Sequence, residues 1–379
     1  MGTVCAAWGG MFGCLKEGHF QILNRCPHVH RAELERIMGV NMTIYDISEK
    51  ADVSIATVSR VLNGSSSVSE KTKQKVLAVI AQYEYTPNAF ARGLGLNTMR
   101  TIGIMCADSS DLYLAKAIYY IEQKLRADGY DSLLCCTGYE LKNKSSSMEL
   151  LLTKKVDGIV LAGSNFVYDE DAKNRYITDA AAQIPIMLLN ASLDAPNVYC
   201  ALSDDFTSMY EAAMQMISSG VKDILYYYNA TSYSGKKKLA GYRSAMEEKK
   251  LLKDSRLIQY YQGSHEDIPA MAAHLLQLSN NGLSFHGVIA ADDTLALAAV
   301  KYAKEAGRKI PEDLSIIGYN NSMLTSCCDP ELTSIDNKLE TLCQHLVNTL
   351  MGVLNGCEMP KKTVFSGELI KRGTLLFTP

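Results

Sequence analysis

Residues 43–64 read TIYDISEKADVSIATVSRVLNG, and the order of hydroxyls, apolar side chains and turn residues in this stretch decides the fold at this end of the chain. Thr43 can cap a short helix by accepting a backbone N–H, and Asp46, three residues on, completes a box-like pair while placing a negative charge at the positive end of the helix dipole. Ile44, Ile47 and Ala51 recur at helical spacing. Asp52-Val53 makes a tight turn, Ser54 caps a second helix with Val58, Val61 and Leu62 facing inward, and Asn63-Gly64 ends it with left-handed backbone chemistry. After a serine-rich loop, Ser69 with Glu70 opens a third helix to about Tyr83, with Val76, Val79 and Ile80 on its buried face. Three short helices with a tight turn between the first two predict a helix-turn-helix unit.

In such a unit the start of the second helix enters the major groove. Its outward side chains are Ile55, Ala56 and Thr57, with Ser59 and Arg60 further along. Arg60 is the candidate for a two-pronged contact to guanine O6 and N7, and Ile55 and Ala56 offer apolar surface to a thymine methyl. Thr57, Ser59, Tyr45 and Lys71 are candidates for phosphate contacts that fix register. Thr43, Ser54 and Asn63, at the element ends, complete the DNA-contacting set.

A second segment, Tyr85 to Leu94, reads YTPNAFARGL. Together with 43–64 it strongly resembles the headpiece of the lactose-repressor (LacI/GalR) family, and is especially close to the carbon-catabolite control members. The resemblance extends, more loosely, over 42–379. It implies that 87–100 is a hinge and linker whose helix forms on the operator, with Asn88, Ala91, Arg92 and Leu94 at DNA-contacting positions. Leu94 falls where the family drives a leucine from each subunit into the minor groove, an apolar wedge that trades base stacking for a kinked, better-wrapped site. Gly93 and Gly95 bracket the wedge and disfavour helix by about 1 kcal/mol each relative to alanine, so this hinge should be soft without DNA.

Residues 1–41 differ from the rest, with Gly, Cys and His scattered without period. They are expected to be a disordered or misassigned extension ahead of Met42. Cys26-x-His28-x-His30 lacks four ligands at workable spacing, so no metal site is expected there. The net charge of −3 conceals an asymmetry: residues 42–100 carry seven Lys/Arg against five acids, whereas 101–379 carry 27 against 33. A mildly basic head on an acidic body suits a protein that meets DNA at one end. No apolar run is long enough to span a bilayer, no export signal is evident, and eleven irregularly spaced cysteines read as reduced thiols. A cytoplasmic protein without membrane contact is the expectation.

From Ile102 the pattern alternates strand and helix. Apolar strands fall at Ile102–Cys106, Ser132–Cys135, Val156–Ala162, Ile184–Asn190, Ile224–Tyr228, Gly287–Ala290 and Leu314–Gly318, with helices at Leu114–Asp128 and Glu149–Lys155 among those between them. This beat predicts parallel sheets with helices on both faces, in two doubly wound lobes. The resemblance implies a core like that of periplasmic sugar-binding proteins, serving effector binding and dimerisation. Its N-lobe would span about 101–202 and 339–366, and its C-lobe about 203–338 and 367–379.

Ligands of such sheets lie at the carboxyl ends of the strands. Ser109, Asp111 and Tyr113 follow the first strand, and Ser164 and Asn190 follow later ones. By the resemblance, Lys238 stands where the family places an effector-contacting arginine, Asp292 matches another effector position, and Asn320 replaces a common aspartate. Lysine for arginine gives up the planar fork. Asparagine for aspartate removes a negative charge, and Ser110-Asp-Leu-Tyr113 departs from the family's Asn-Pro-aromatic. These departures leave room for an anionic effector beside a neutral sugar.

Catalytic signatures are missing. There is no Gly-x-Ser-x-Gly elbow and no Gly-Lys-Ser/Thr phosphate loop, and the adjacent Asp292-Asp293 would diverge rather than flank a substrate. No enzyme, no cofactor and no metal are expected. Cys135-Cys136 and Cys327-Cys328 lack CxxC geometry and read as buried thiols. The sequence therefore predicts a homodimeric, ligand-controlled repressor of carbohydrate genes acting on palindromic operator DNA. Its alternatives are a catabolite regulator that takes a phosphorylated carrier protein as corepressor, and a pure sugar-binding protein.

Overall fold

The computed structural model describes residues 42–62, 64–65, 67–83, 85 and 98–376, and the chain divides into two units, 1–97 and 98–379. Residues 1–41, the turn residue Asn63 and the hinge residues Asn88, Ala91, Arg92 and Leu94 lie outside the described residues.

The first unit holds α1 (Ile44–Lys50), α2 (Ile55–Leu62) and α3 (Glu70–Gln82). Each start carries its expected cap. The Thr43 hydroxyl accepts from Asp46 N at 3.4 Å while Thr43 N donates to Asp46 Oδ2 at 2.8 Å. Ser54 Oγ accepts from Thr57 N, and Ser69 Oγ from Thr72 N. The hydrogen bonds from Thr43 hold the Asp46 carboxyl below the usual carboxylate range. Asp52 takes a positive φ of 46° in the turn between α1 and α2, a conformation that aspartate tolerates. Ile47, Ala51, Val58, Val61 and Val76 form a small buried core, with Ile44, Leu62, Val79 and Ile80 packed at its border. So small a core leans on its caps. Thr43→Ala should cost about 1 kcal/mol, read as an earlier loss of helical signal from the first unit while the second melts unchanged.

The second unit contains two six-stranded sheets. The first runs β11 (Lys362–Phe365), β5 (Val198–Ser203), β4 (Ile186–Leu189), β3 (Gly158–Ala162), β1 (Thr101–Cys106), β2 (Asp131–Cys136), and every pairing is parallel. The second runs β12 (Glu368–Ile370), β10 (Ser334–Asp336), β9 (Ser315–Tyr319), β8 (Gly287–Ala290), β6 (Ile224–Tyr228), β7 (Ile258–Tyr260), parallel except for β12. Around the first sheet, α4 (Leu112–Ala127) and α11 (Leu339–Leu354) bury Ala117, Ile121, Leu342 and Leu346 on one face. On the other face, α5 (Leu141–Thr153) and α6 (Arg175–Ala181) bury Met148, Leu151 and Ile177. The second sheet lies among α7 (Asp205–Ser218), α8 (Tyr233–Glu248), α9 (Ile268–Asn280) and α10 (Asp293–Glu305), which share one continuous core with it.

The structure corrects three expectations. The helix expected from Glu149 begins at Leu141. Its first turns carry Lys142, Asn143, Ser145, Ser146 and Ser147 and show almost no apolar stripe; what anchors them is Lys144, one helical repeat before Met148. Lys144 is buried, and its ammonium donates to Asn165 O at 2.5 Å and to the Tyr168 hydroxyl at 2.8 Å. The paired thiols are not buried: Cys136 and Cys327 are exposed, and Cys135 and Cys328 only half-buried. The reason for the first pair is topological, because β2 is an edge strand and shows Leu133 and Leu134 to solvent as well. Finally, β5 and the short strands β7, β10, β11 and β12 add to the strands expected from the pattern. Of these, β5 is fully buried and carries a tyrosine and a cysteine among its five apolar residues.

Candidate nucleic-acid interface and effector cleft

On α2 the buried residues are Val58 and Val61. The opposite face therefore presents Ile55 and Ala56 at the start and Arg60 a turn later, all exposed, with Thr57 and Ser59 half-buried between them. Ile55 is 40% exposed and Tyr45 on α1 is 68% exposed. Neither side chain belongs to the buried core of this unit.

The cations around this face are not equivalent. Lys73 pairs with Glu70 and Lys75 with Asp52, and the Lys50 ammonium sits 4.5 Å from the centre of the Tyr83 ring. Arg60 and Lys71 are exposed and hold no ion pair among the described residues. Ser54 and Thr57 are bonded hydroxyl to hydroxyl at 2.9 Å. That fixes both oxygens at the N-terminus of α2, where its first backbone N–H groups also point outward.

In the second unit the residues expected at the strand ends come together with one exception. Asp111, after β1, caps α4 by accepting Leu114 N at 2.8 Å. Asp292, after β8, caps α10 by accepting Leu295 N at 2.8 Å. Burial, and then the charge of Asp292, push the Asp111 carboxyl up against the pull of its own backbone bond. Asn190, at a φ of 57° after β4, accepts Ser203 N and donates to the Tyr113 hydroxyl. Asn337 donates to Asn320 at 3.1 Å and also bears on the Tyr113 hydroxyl, so Asn320, Asn337, Tyr113 and Asn190 form one polar chain. Ser164 donates to Ser232 at 2.9 Å, and its carbonyl accepts Tyr233 N at 3.2 Å, joining the loop after β3 to the start of α8. Ser109 is the exception: it stands exposed on the loop before α4, and among the described residues no hydrogen bond ties it to the cluster.

Lys238 is buried among partners drawn from distant parts of the chain. Its ammonium donates to Ala291 O at 2.9 Å and lies 3.6 Å from the centre of the Tyr319 ring. Burial lowers its pKa, while Asp205, Asp292, Asp293 and Asp111 oppose that shift and favour the charged form. Asp205, the first residue of α7, is buried and accepts the Tyr319 hydroxyl at 2.5 Å. The two helices that carry this pair approach closely because Gly241 has no side chain: a Cβ there would collide with Phe206 O. Asp205, Tyr319, Asn337, Ser232, Asn229 and His265 join the site from outside the set expected from sequence. Tyr319 lies beside Asn320 in the same Ile-Gly-Tyr-Asn-Asn motif, and Asp205 comes two residues after the end of β5, so recognising that strand would have pointed to it. His265, which meets Asn229 at 2.8 Å, sits in a loop with no pattern to announce it.

Asp293, next to Asp292, faces the other way. It accepts Ser322 N and the Ser334 hydroxyl, each at 2.6 Å, and burial raises its carboxyl to about 6. A raised native pKa means that the folded state holds the proton more tightly than the unfolded chain. The associated stability, about 3 kcal/mol, is complete below about pH 4 and is lost as pH climbs through about 6. Melting the core between pH 4 and 7 should show this decline, and Asp293→Asn should flatten it.

Among the described residues, no group of three or more His, Cys, Asp or Glu could hold a metal ion, and no helix is long and apolar enough to cross a membrane. Comparison with known proteins gives two family matches. Residues 43–88 match the bacterial regulatory proteins of the lacI family, and residues 213–375 match a periplasmic binding protein-like domain. An HTH-type transcriptional regulator of Lachnoclostridium phytofermentans is 54% identical over 336 residues, covering 89% of this chain and 100% of that protein. The regulator DegA of Bacillus subtilis is 33% identical, covering 79% and 88%, and catabolite control protein A of Priestia megaterium 30% identical, covering 78% and 87%. Among solved structures, a lac repressor dimer bound to operator and an anti-inducer is similar in fold, with TM-score 0.78 at 24% identity over 88% of this chain and 98% of that one. With three capped helices, two parallel-sheet lobes and relatives of this closeness over nearly its full length, the chain belongs to the LacI family of bacterial transcriptional regulators.

Proposed function

We propose that this regulator binds a palindromic operator as a homodimer through the exposed face of α2, and that a small hydroxyl-rich ligand in the cleft between the two sheets sets its affinity for that operator. The observation that carries the first half is a pair of exposed cations, Arg60 and Lys71, without ion-pair partners among the described residues and beside an exposed Ile55–Ala56 edge. Arg60 reads a base, Lys71 and Tyr45 hold phosphates, and Thr57 and Ser59 fix the register. The second half rests on Asp111, Tyr113, Ser164 and Asn190 facing Lys238, Asp292 and Asn320 across the carboxyl ends of both sheets. Carboxylate and amide groups there can fork onto neighbouring hydroxyls while an aromatic ring covers an apolar edge. Ligand-dependent movement of the lobes is passed to the heads through 87–100, and a coupling of about 1–3 kcal/mol makes a useful switch.

Selection of bound duplexes from a random library with the full chain, at moderate salt and with a metabolite panel, tests this reading. Enrichment of one palindrome, shifted by a metabolite, is expected. Equal retention of all duplexes under every condition would overturn it. The alternative of a phosphorylated carrier protein as corepressor draws on the relation to catabolite control protein A, and a pull-down with that carrier distinguishes it from metabolite control.

A further inference from the structure

The cleft residues face each other with an unusual balance of charge. Two helices, α4 from one lobe and α10 from the other, point their N-termini at the cleft, and such ends ordinarily attract anions. Here both are already occupied by the chain's own carboxylates: Asp111 and Asp292 each spend Oδ1 on the capped backbone N–H. Beyond those bonds, Asp292 Oδ2 is reached by Asn229 at a long 3.4 Å, and Asp111 by the backbone of Tyr113. Lys238, the cation that a phosphate or carboxylate would need, is buried on Ala291 O and the Tyr319 ring, and its charge is already shared with Asp205, Asp292, Asp293 and Asp111. At the mouth of the cleft, Lys236 is spent on Asp169, and His265 is engaged by Asn229.

A second, independent observation points the same way. Asn337 is 1% exposed, sits in the polar chain with Asn320 and Tyr113, and leaves its Oδ1 without a donor. A buried acceptor without a donor costs free energy until one arrives. The groups left over are acceptors, and most of them are negative.

We propose that the effector is a donor-rich sugar carrying an amine, an amino sugar rather than a sugar phosphate, whose ammonium bridges Asp111 and Asp292 and so draws the two lobes together. This rests on the cleft being the effector site, and it sets aside the anionic class that the sequence leaves open in favour of a cationic one. A phosphate would set its charge against two carboxylates, with both helix ends capped and Lys238 and Lys236 already engaged.

The test uses the full chain and a panel of pentoses, hexoses and disaccharides, each as the neutral sugar, the 2-amino-2-deoxy sugar and the terminal phosphate, measured by thermal shift and calorimetry. One scaffold is expected to bind at least about tenfold more tightly as the amine than as the neutral sugar, and not detectably as the phosphate. In Asp111→Ser and Asp292→Ser, where a serine still caps the helix, the amine preference should fall to near unity. The melting of each unliganded variant checks that the fold is kept. Tighter binding of the phosphate, or an amine preference that survives both variants, overturns the charge assignment and leaves the cleft as the effector site. Binding by no scaffold in any charge form overturns the effector reading itself.

Discussion

Arg60→Ala is expected to level base discrimination at one position of each half-site, with affinity for the best operator falling by about 1–3 kcal/mol per head, or roughly five- to 150-fold. Arg60 is exposed and free of carboxylates among the described residues, so the substitution leaves the small core behind Val58 and Val61 undisturbed. Lys71→Ala makes the contrast. Removing a phosphate contact should weaken all sequences alike and lower the salt slope of binding by about one. A competition assay over single-base operator variants at two salt concentrations separates the two effects. If Arg60→Ala weakened every duplex equally, the assignment of base reading to this residue would be wrong.

The second large effect is expected inside the core. Lys238→Met should destabilise the second unit by about 3–5 kcal/mol, because it strands the buried Asp205 carboxylate, whose charge this lysine balances. Asp205→Asn alone should cost less, since an amide oxygen can still accept the Tyr319 hydroxyl. The double variant should be more stable than Lys238→Met by itself, a non-additivity that marks a shared charge network. Denaturant titration of the three variants measures it. Strictly additive costs would show that Lys238 and Asp205 act separately.

The headpiece is legible almost residue by residue because its signals are local. Caps at Thr43, Ser54 and Ser69, an apolar face at helical spacing and a turn at Asp52 lie within a few residues of what they control. The lobes are legible as a rhythm of buried parallel strands, but β5 escapes it. A strand buried on both faces has no alternation to display, and Tyr199 and Cys200 dilute its aliphatic character. The cleft is legible where a strand end carries a helix-capping acid, as at Asp111 and Asp292. It is illegible where function depends on distant elements meeting: nothing near Lys238 announces that Ala291, Tyr319 and Asp205 will absorb its charge. The sequence shows that a lysine is present without showing that it is already engaged.

The mouth of the cleft is fastened by slight means: one serine–serine bond, one backbone bond from Tyr233, and the exposed pair of Lys236 with Asp169. Exposed pairs of this kind contribute about 0–1 kcal/mol and single hydrogen bonds about 0.5–1.5 kcal/mol, so the clasp is weak enough for a tightly bound ligand to override. A weak latch leaves the decision to whatever occupies the interior, and the regulator's set point becomes a matter of ligand concentration instead of protein rigidity. Stiffening the latch, for instance with a cross-link between positions 164 and 232, would yield a protein deaf to its metabolite and frozen in one regulatory state.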